Sequence, residues 1–143
     1  MDNDTDRVIS PKVGEVWVVD LSNAIGHQQS GIRPFVVMSN NKRNFFSTTI
    51  KGVPMSSRVH KYSPVHVLLK QDECPFLKCD SIVLCEEVDT INKSQFIKKL
   101  GALTQDQMDK ISAARLLDEP TLVTAFLNGI QNTVDFQNFS AFA

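Results

Sequence analysis

The chain has 143 residues, 42% hydrophobic and 22% charged, a balance that suits one globular domain with a real core. No apolar run approaches the roughly 18 residues of a membrane helix. Three cysteines (Cys74, Cys79 and Cys85), with no second metal-ligating pair beside them, read as reduced thiols of a cytoplasmic protein and argue against a disulfide frame or a zinc site. The net charge of −1 hides an asymmetry. Between Leu21 and Gln71 there is no Asp or Glu but seven Lys or Arg, which leaves 8 basic against 16 acidic residues elsewhere. All three histidines (His27, His60 and His66) lie in the same stretch. A basic middle between acidic ends points to an anionic partner, nucleic acid or an acidic protein segment.

In chain order, 1–12 is polar and acidic and reads as a loose leader, not a secretory signal. The run GEVWVVDL, Gly14 to Leu21, is aromatic and β-branched and predicts a first strand. Ser22 to Ile32 predicts a long loop. Pro34 then biases Arg33 toward extended backbone, and Phe35 to Met38 form a short apolar run suited to a strand buried on both faces. Arg33 thus stands where a loop meets a rigid strand, a usual position for binding and catalytic groups. Asn40 to Asn44 predicts a basic turn. Ser47 to Met55 predicts a third strand, with Gly52 and Pro54 marking a bend near its end.

Val65 to Lys70 alternates as a strand does, and Ser81 to Val88 reads as the last long one, after a connection that holds Cys74, Pro75 and Cys79. Short strands at this spacing predict a small β-barrel. Asn92 with Gln95 suits a single helical turn, followed by a short segment at Lys99 to Leu103. Thr104 with Gln107 forms a capping box. Met108, Ile111 and Ala114 then recur at helical spacing, which predicts a helix from Gln105 to about Leu117 that Pro120 ends. A further short helix and a run of Phe136, Phe139 and Phe142 follow in the tail.

These motifs, in this order, resemble the MazF/PemK (Kid) family of toxin–antitoxin ribonucleases. Gly14, Val16, Trp17, Val19, Asp20 and Leu21 match its first strand, and Gly26, Gln29, Gly31, Arg33 and Pro34 match its G-x-E-Q-x-G-x-R-P loop. Ser39-Asn40 matches the next strand end, Val53, Pro54, Ser56 and Ser57 match a V-P-L-T-S-like end, and Ser81 to Phe96 follows the family's later stretch. The resemblance covers roughly Pro11 to Leu117. It divides the chain into a leader (1–12), a barrel domain with its helix (13–117) and a C-terminal extension (118–143).

The resemblance implies a mainly β, SH3-like small barrel that dimerises and cuts single-stranded RNA, usually mRNA, without a metal or other cofactor. The products would be a 2′,3′-cyclic phosphate and a 5′-OH, and an acidic cognate antitoxin would occupy the same basic groove. It implies Arg33 and Ser56 as the catalytic pair. Arg33 would stabilise charge on the phosphate, because a fork-shaped, always-charged guanidinium suits it. Ser56 stands where the family has Thr, which keeps the hydroxyl and loses the methyl that fixes its rotamer. Lys42, Arg43, Lys51 and Arg58 would hold the RNA backbone, with His27, Gln28, Gln29, Ser57 and His60 completing the RNA surface. Gln28 replaces a common Glu, and Asn41 a common Asp. His27 or His60 would then supply a general base. Two alternatives stand beside the nuclease. One is a catalytically weakened member that only binds RNA or antitoxin. The other is a CcdB-like gyrase poison, for which Arg33 would be dispensable.

Overall fold

A computed structural model describes residues 9–22, 31–59 and 63–129. The strands are β1 (Glu15–Asp20), β2 (Ile32–Val37), β3 (Thr49–Ser56), β4 (His66–Leu69), β5 (Ser81–Leu84), β6 (Asp89–Asn92) and β7 (Phe96–Ala102). The helices are α1 (Asn41–Phe46), α2 (Gln105–Asp118) and α3 (Pro120–Leu127). All pairings are antiparallel, in the order β4-β5-β3-β2-β1-β7, with β6 on the outer half of β3. The result is the mainly β, barrel-like sheet with C-terminal helices that the sequence predicts. The sheet does not close, and β4 and β7 stand at its two ends.

Phe35, Val36 and Val37 are all inaccessible to solvent, because β2 lies between two apolar layers. Val36 packs with Val16, Val53, Met55, Val83 and Ile111 on one face, and Phe35 and Val37 pack with Val19, Ile50, Ile91 and Phe96 on the other. β3 serves both layers. Its first half pairs with β6 and its last two residues pair with β5, so the strand changes partner near Gly52. A Cβ at Gly52 would stand 2.1 Å from the carbonyl oxygen of Val36, so only glycine allows the two backbones this approach.

Four local expectations change. Asn40 to Asn44 is not a turn: Asn40 accepts the Arg43 N–H at 2.8 Å and caps α1. Inside it, buried Asn44 donates to the Ser39 carbonyl at 2.8 Å. The stretch from Ser81 to Val88 is not one strand. It stops at Leu84, turns with the Glu87 N–H on the Leu84 carbonyl, and resumes as β6. Phe96 to Ala102 is a strand, β7, that carries mostly exposed side chains and so lacks the apolar alternation by which strands are read. Pro120 follows the end of α2 and also opens α3, where its missing N–H costs nothing.

The capping box stands as predicted, with Thr104 N–H on Gln107 Oε1 at 2.8 Å and Gln107 N–H on Thr104 Oγ1 at 3.2 Å. α2 buries Ile111 and Ala114 in the layer under β4 and β5. Arg115 Nη1 fixes its far end to the Cys85 carbonyl at 2.8 Å. α3 buries none of its residues. The leader before residue 9 and the tail after residue 129, with Phe136, Phe139 and Phe142, lie outside the described residues. Among the described residues no helix is long and apolar enough to cross a membrane.

Candidate functional site

β2 and β3 pair Val37 with Gly52, Val36 with Val53 and Phe35 with Pro54. Arg33 and Ser56 each lie two residues beyond the last of these pairs. On its other flank Arg33 pairs with Val19 of β1, and Ser56 pairs with Ile82 of β5. Each residue is therefore held by a paired strand on one side, at the end of the sheet where β2 begins and β3 stops.

There they line a groove of about 590 Å³ together with Ser57, Arg58, Phe76 and Lys78. Arg33 is half-buried, and its Nη1 donates to the Met55 carbonyl at 3.1 Å, which aims the guanidinium along the strand end. Burial pushes its pKa below the usual arginine value. The carboxylate of Glu87 opposes that shift and the nearby Arg58 adds to it. A guanidinium still keeps its proton in a protein, so the group is a fixed cation with partly stripped hydration. Ser56 Oγ accepts the Arg58 N–H at 3.2 Å. This uses a lone pair and leaves the hydroxyl proton to donate. A cation, a hydroxyl donor and a second arginine at one groove can bind a phosphodiester and stabilise negative charge that grows on it.

The sequence-predicted residues divide. Arg33, Ser56, Ser57 and Arg58 come together in the groove. Lys42, Arg43 and Lys51 do not line it. Arg43, on α1, spends its guanidinium on Thr49, donating to the carbonyl at 3.0 Å and to Oγ1 at 3.1 Å, so it secures the start of β3. Lys51 is exposed on β3 opposite Thr90. His27, Gln28, Gln29 and His60 lie outside the described residues. His66 sits on β4, its Nε2 at 2.9 Å from Glu86 Oε1.

Sequence reasoning missed the opposite wall, formed by Val18, Phe76, Lys78, Cys79 and Leu100. An aromatic two residues before a lysine, in a connection otherwise short of large apolar side chains, was the available signal. Among the described residues no cluster of three His, Cys, Asp or Glu side chains is arranged to hold a metal ion.

Residues 12–116 match the family described as PemK-like, MazF-like toxins of type II toxin–antitoxin systems. Over 104 residues the chain is 34% identical to the endoribonuclease EndoA of Bacillus subtilis, covering 72% of this chain and 89% of that one. Among solved structures, a mycobacterial endoribonuclease in complex with its cognate antitoxin is similar at 25% identity and a TM-score of 0.61. The match spans 76% of this chain and 93% of that one. MazF of Deinococcus radiodurans shares the fold at a TM-score of 0.67 and 21% identity, over 76% of this chain and 96% of that one.

Proposed function

The chain belongs to the PemK-like, MazF-like toxins of type II toxin–antitoxin systems and is an endoribonuclease, and we propose that the groove holding Arg33 and Ser56 is its active site. The observation that carries this reading is that Arg33 and Ser56, from the neighbouring strands β2 and β3, line one groove. Two functional groups brought into one groove from different strands, each braced by a neighbour, suit a phosphodiester better than a flat protein surface.

The reaction we assign needs no metal. The ribose 2′-oxygen attacks the adjacent phosphorus, the P–O5′ bond breaks, and the products are a 2′,3′-cyclic phosphate and a 5′-OH. Charge builds on the non-bridging oxygens as the new bond forms. Arg33 faces that charge from a partly desolvated position, where a fixed cation acts more strongly than in water. Ser56 donates its hydroxyl proton to one of the same oxygens. Arg58 holds a neighbouring phosphate of the strand. The 2′-OH proton passes to His27 or His60, imidazole being a common general base. The leaving 5′-oxygen takes its proton from water, while Arg33 keeps its own and holds the phosphate beside it.

The substrate is single-stranded RNA, because the attacking hydroxyl must be free to line up behind the scissile bond. The inhibitor is a cognate antitoxin with an acidic segment that competes for the same cations. The working unit is a homodimer, which sedimentation would check.

The test is incubation of a long single-stranded RNA with the protein in EDTA, beside Arg33→Ala and Ser56→Ala, with mass spectrometry of the ends. Discrete EDTA-resistant cuts with cyclic-phosphate ends, lost in Arg33→Ala, are expected. Cuts that persist unchanged in Arg33→Ala would sink the assignment.

A further inference from the structure

The groove has a second wall that the chemistry above does not use. Val18, Phe76 and Leu100 form it, with Lys78 and Cys79 beside them. Gly101 shows how the Phe76 ring is held. A Cβ on Gly101 would stand 2.5 Å from Cδ2 of Phe76 and 2.8 Å from each of the flanking carbons, Cγ and Cε2. An edge-on approach would leave both flanking carbons clearly farther away, so a face of the ring lies on the glycine backbone of β7. No other residue type would permit that contact without moving the ring. Phe76 is thereby braced in place and half-buried, packed also against the core, and part of it borders the groove.

The polar side of the same groove fixes what can occupy it. Among the described residues that line it, Arg33, Arg58 and Lys78 are cationic and none is acidic. An immobilised aromatic ring next to a row of cations is the arrangement by which proteins take up single strands, with bases on the ring and phosphates on the cations. We propose that the Val18–Phe76–Leu100 shelf stacks one unpaired nucleobase of the RNA, with Lys78 on its phosphate, so that Phe76 fixes the register of the strand at Arg33. This inference rests on the endoribonuclease reading. It adds a base-binding subsite to it, and with that a source of selectivity.

The experiment measures binding of two labelled strands of about ten nucleotides, both 2′-O-methylated so that they cannot be cut. One carries all its bases and the other is abasic throughout. The wild type should bind the base-bearing strand about 5- to 150-fold more tightly, the range that stacking on one ring supplies. Phe76→Leu, which keeps an apolar filling, should remove most of that preference, while Phe76→Trp should retain it. Gly101→Ala leaves Phe76 in the sequence but displaces its ring, and should reduce the preference as Phe76→Leu does. Arg58→Ala should weaken both strands and preserve their ratio. A thermal melt of each variant confirms the fold.

An unchanged ratio in folded Phe76→Leu overturns the proposal. So does a result in which Phe76→Leu spares the RNA ratio but weakens binding of the cognate antitoxin, which would make the shelf a peptide site. In either case, cleavage that is lost in Arg33→Ala leaves the endoribonuclease assignment intact. If the wild type binds neither strand and cuts no RNA, both readings fall.

Discussion

The two ends of β3 make an instructive pair. Both draw arginines from the same acid-free stretch of sequence, yet they use them differently. At the Thr49 end, Arg43 gives two hydrogen bonds to Thr49 and Lys93 Nζ donates to the Phe45 carbonyl at 3.1 Å, so charge there serves to pin α1 and the strand start. At the Ser56 end, Arg33 and Arg58 line a groove beside a serine hydroxyl, although Arg33 also gives a bond to the Met55 carbonyl. Charge density along a sequence therefore marks a region, and the hydrogen bonds each cation makes decide whether it builds the fold or faces a ligand.

The comparison breaks most sharply under alanine. Arg33→Ala should lower the cleavage rate about 100- to 1000-fold, the usual cost of removing one group that stabilises transition-state charge, with little change in Tm. Arg43→Ala should do the reverse, leaving the rate of the folded enzyme within a few-fold and costing about 1–2 kcal/mol of stability in urea unfolding. Equal effects of the two on rate would erase the distinction. Gly52→Ala strikes the point where β3 passes between the two ends. Its Cβ would meet the Val36 carbonyl and the Phe35 ring, so a loss of about 2–3 kcal/mol in stability is expected. A smaller effect is due at Ser56. Ser56→Ala should cost about 10-fold in kcat, the worth of one hydrogen bond to a charged group, and Ser56→Thr should match or exceed the wild type.

The smallest effect separates fold from site by pH. Glu15 is partly buried, which works to raise its pKa. Hydrogen bonds from Lys99 Nζ, the Lys12 N–H and Trp17 Nε1 outweigh burial and hold the carboxyl below its ordinary value. A carboxylate depressed in the folded state binds fewer protons there than in the unfolded chain. Its contribution is complete above the ordinary Glu pKa of about 4.3 and is lost as pH falls through the lower folded value. Glu15→Gln should thus be less stable than the wild type by about 1 kcal/mol at neutral pH, and the gap should close on acidification. A gap that persists at low pH would mean that the contacts, and not the charge, matter.

Much of this arrangement could be read from the chain. Pro34 and the apolar run behind it gave β2, Gly52 marked where β3 changes partner, and Thr104 with Gln107 gave the start of α2. In each case a backbone constraint or a cap is written in one or two residues. β7 escaped because its partner β1 supplies the reason for it to be a strand, while its own side chains are mostly exposed. α1 escaped because Asn-rich polar sequence suits a turn and a cap alike, and what decides between them is a buried contact between Asn44 and Ser39. Within the site, the strand-end residues were legible and the Phe76 wall was not. That wall depends on a glycine 25 positions later in the chain whose missing side chain makes room for the ring.

The pairing of β1 with both β2 and β7 has a consequence for how such a protein is made. Ser56 acquires its β5 neighbour only once residues 81–84 exist, and the groove is bordered by Leu100 of the strand that completes β1. A chain emerging from the ribosome in sequence order carries Arg33 and Ser56 early, long before β5 and β7 can brace them. On the assignment proposed above, the geometry of the groove is therefore among the last things synthesis delivers. An enzyme built this way would assemble its groove only once most of its length has been released.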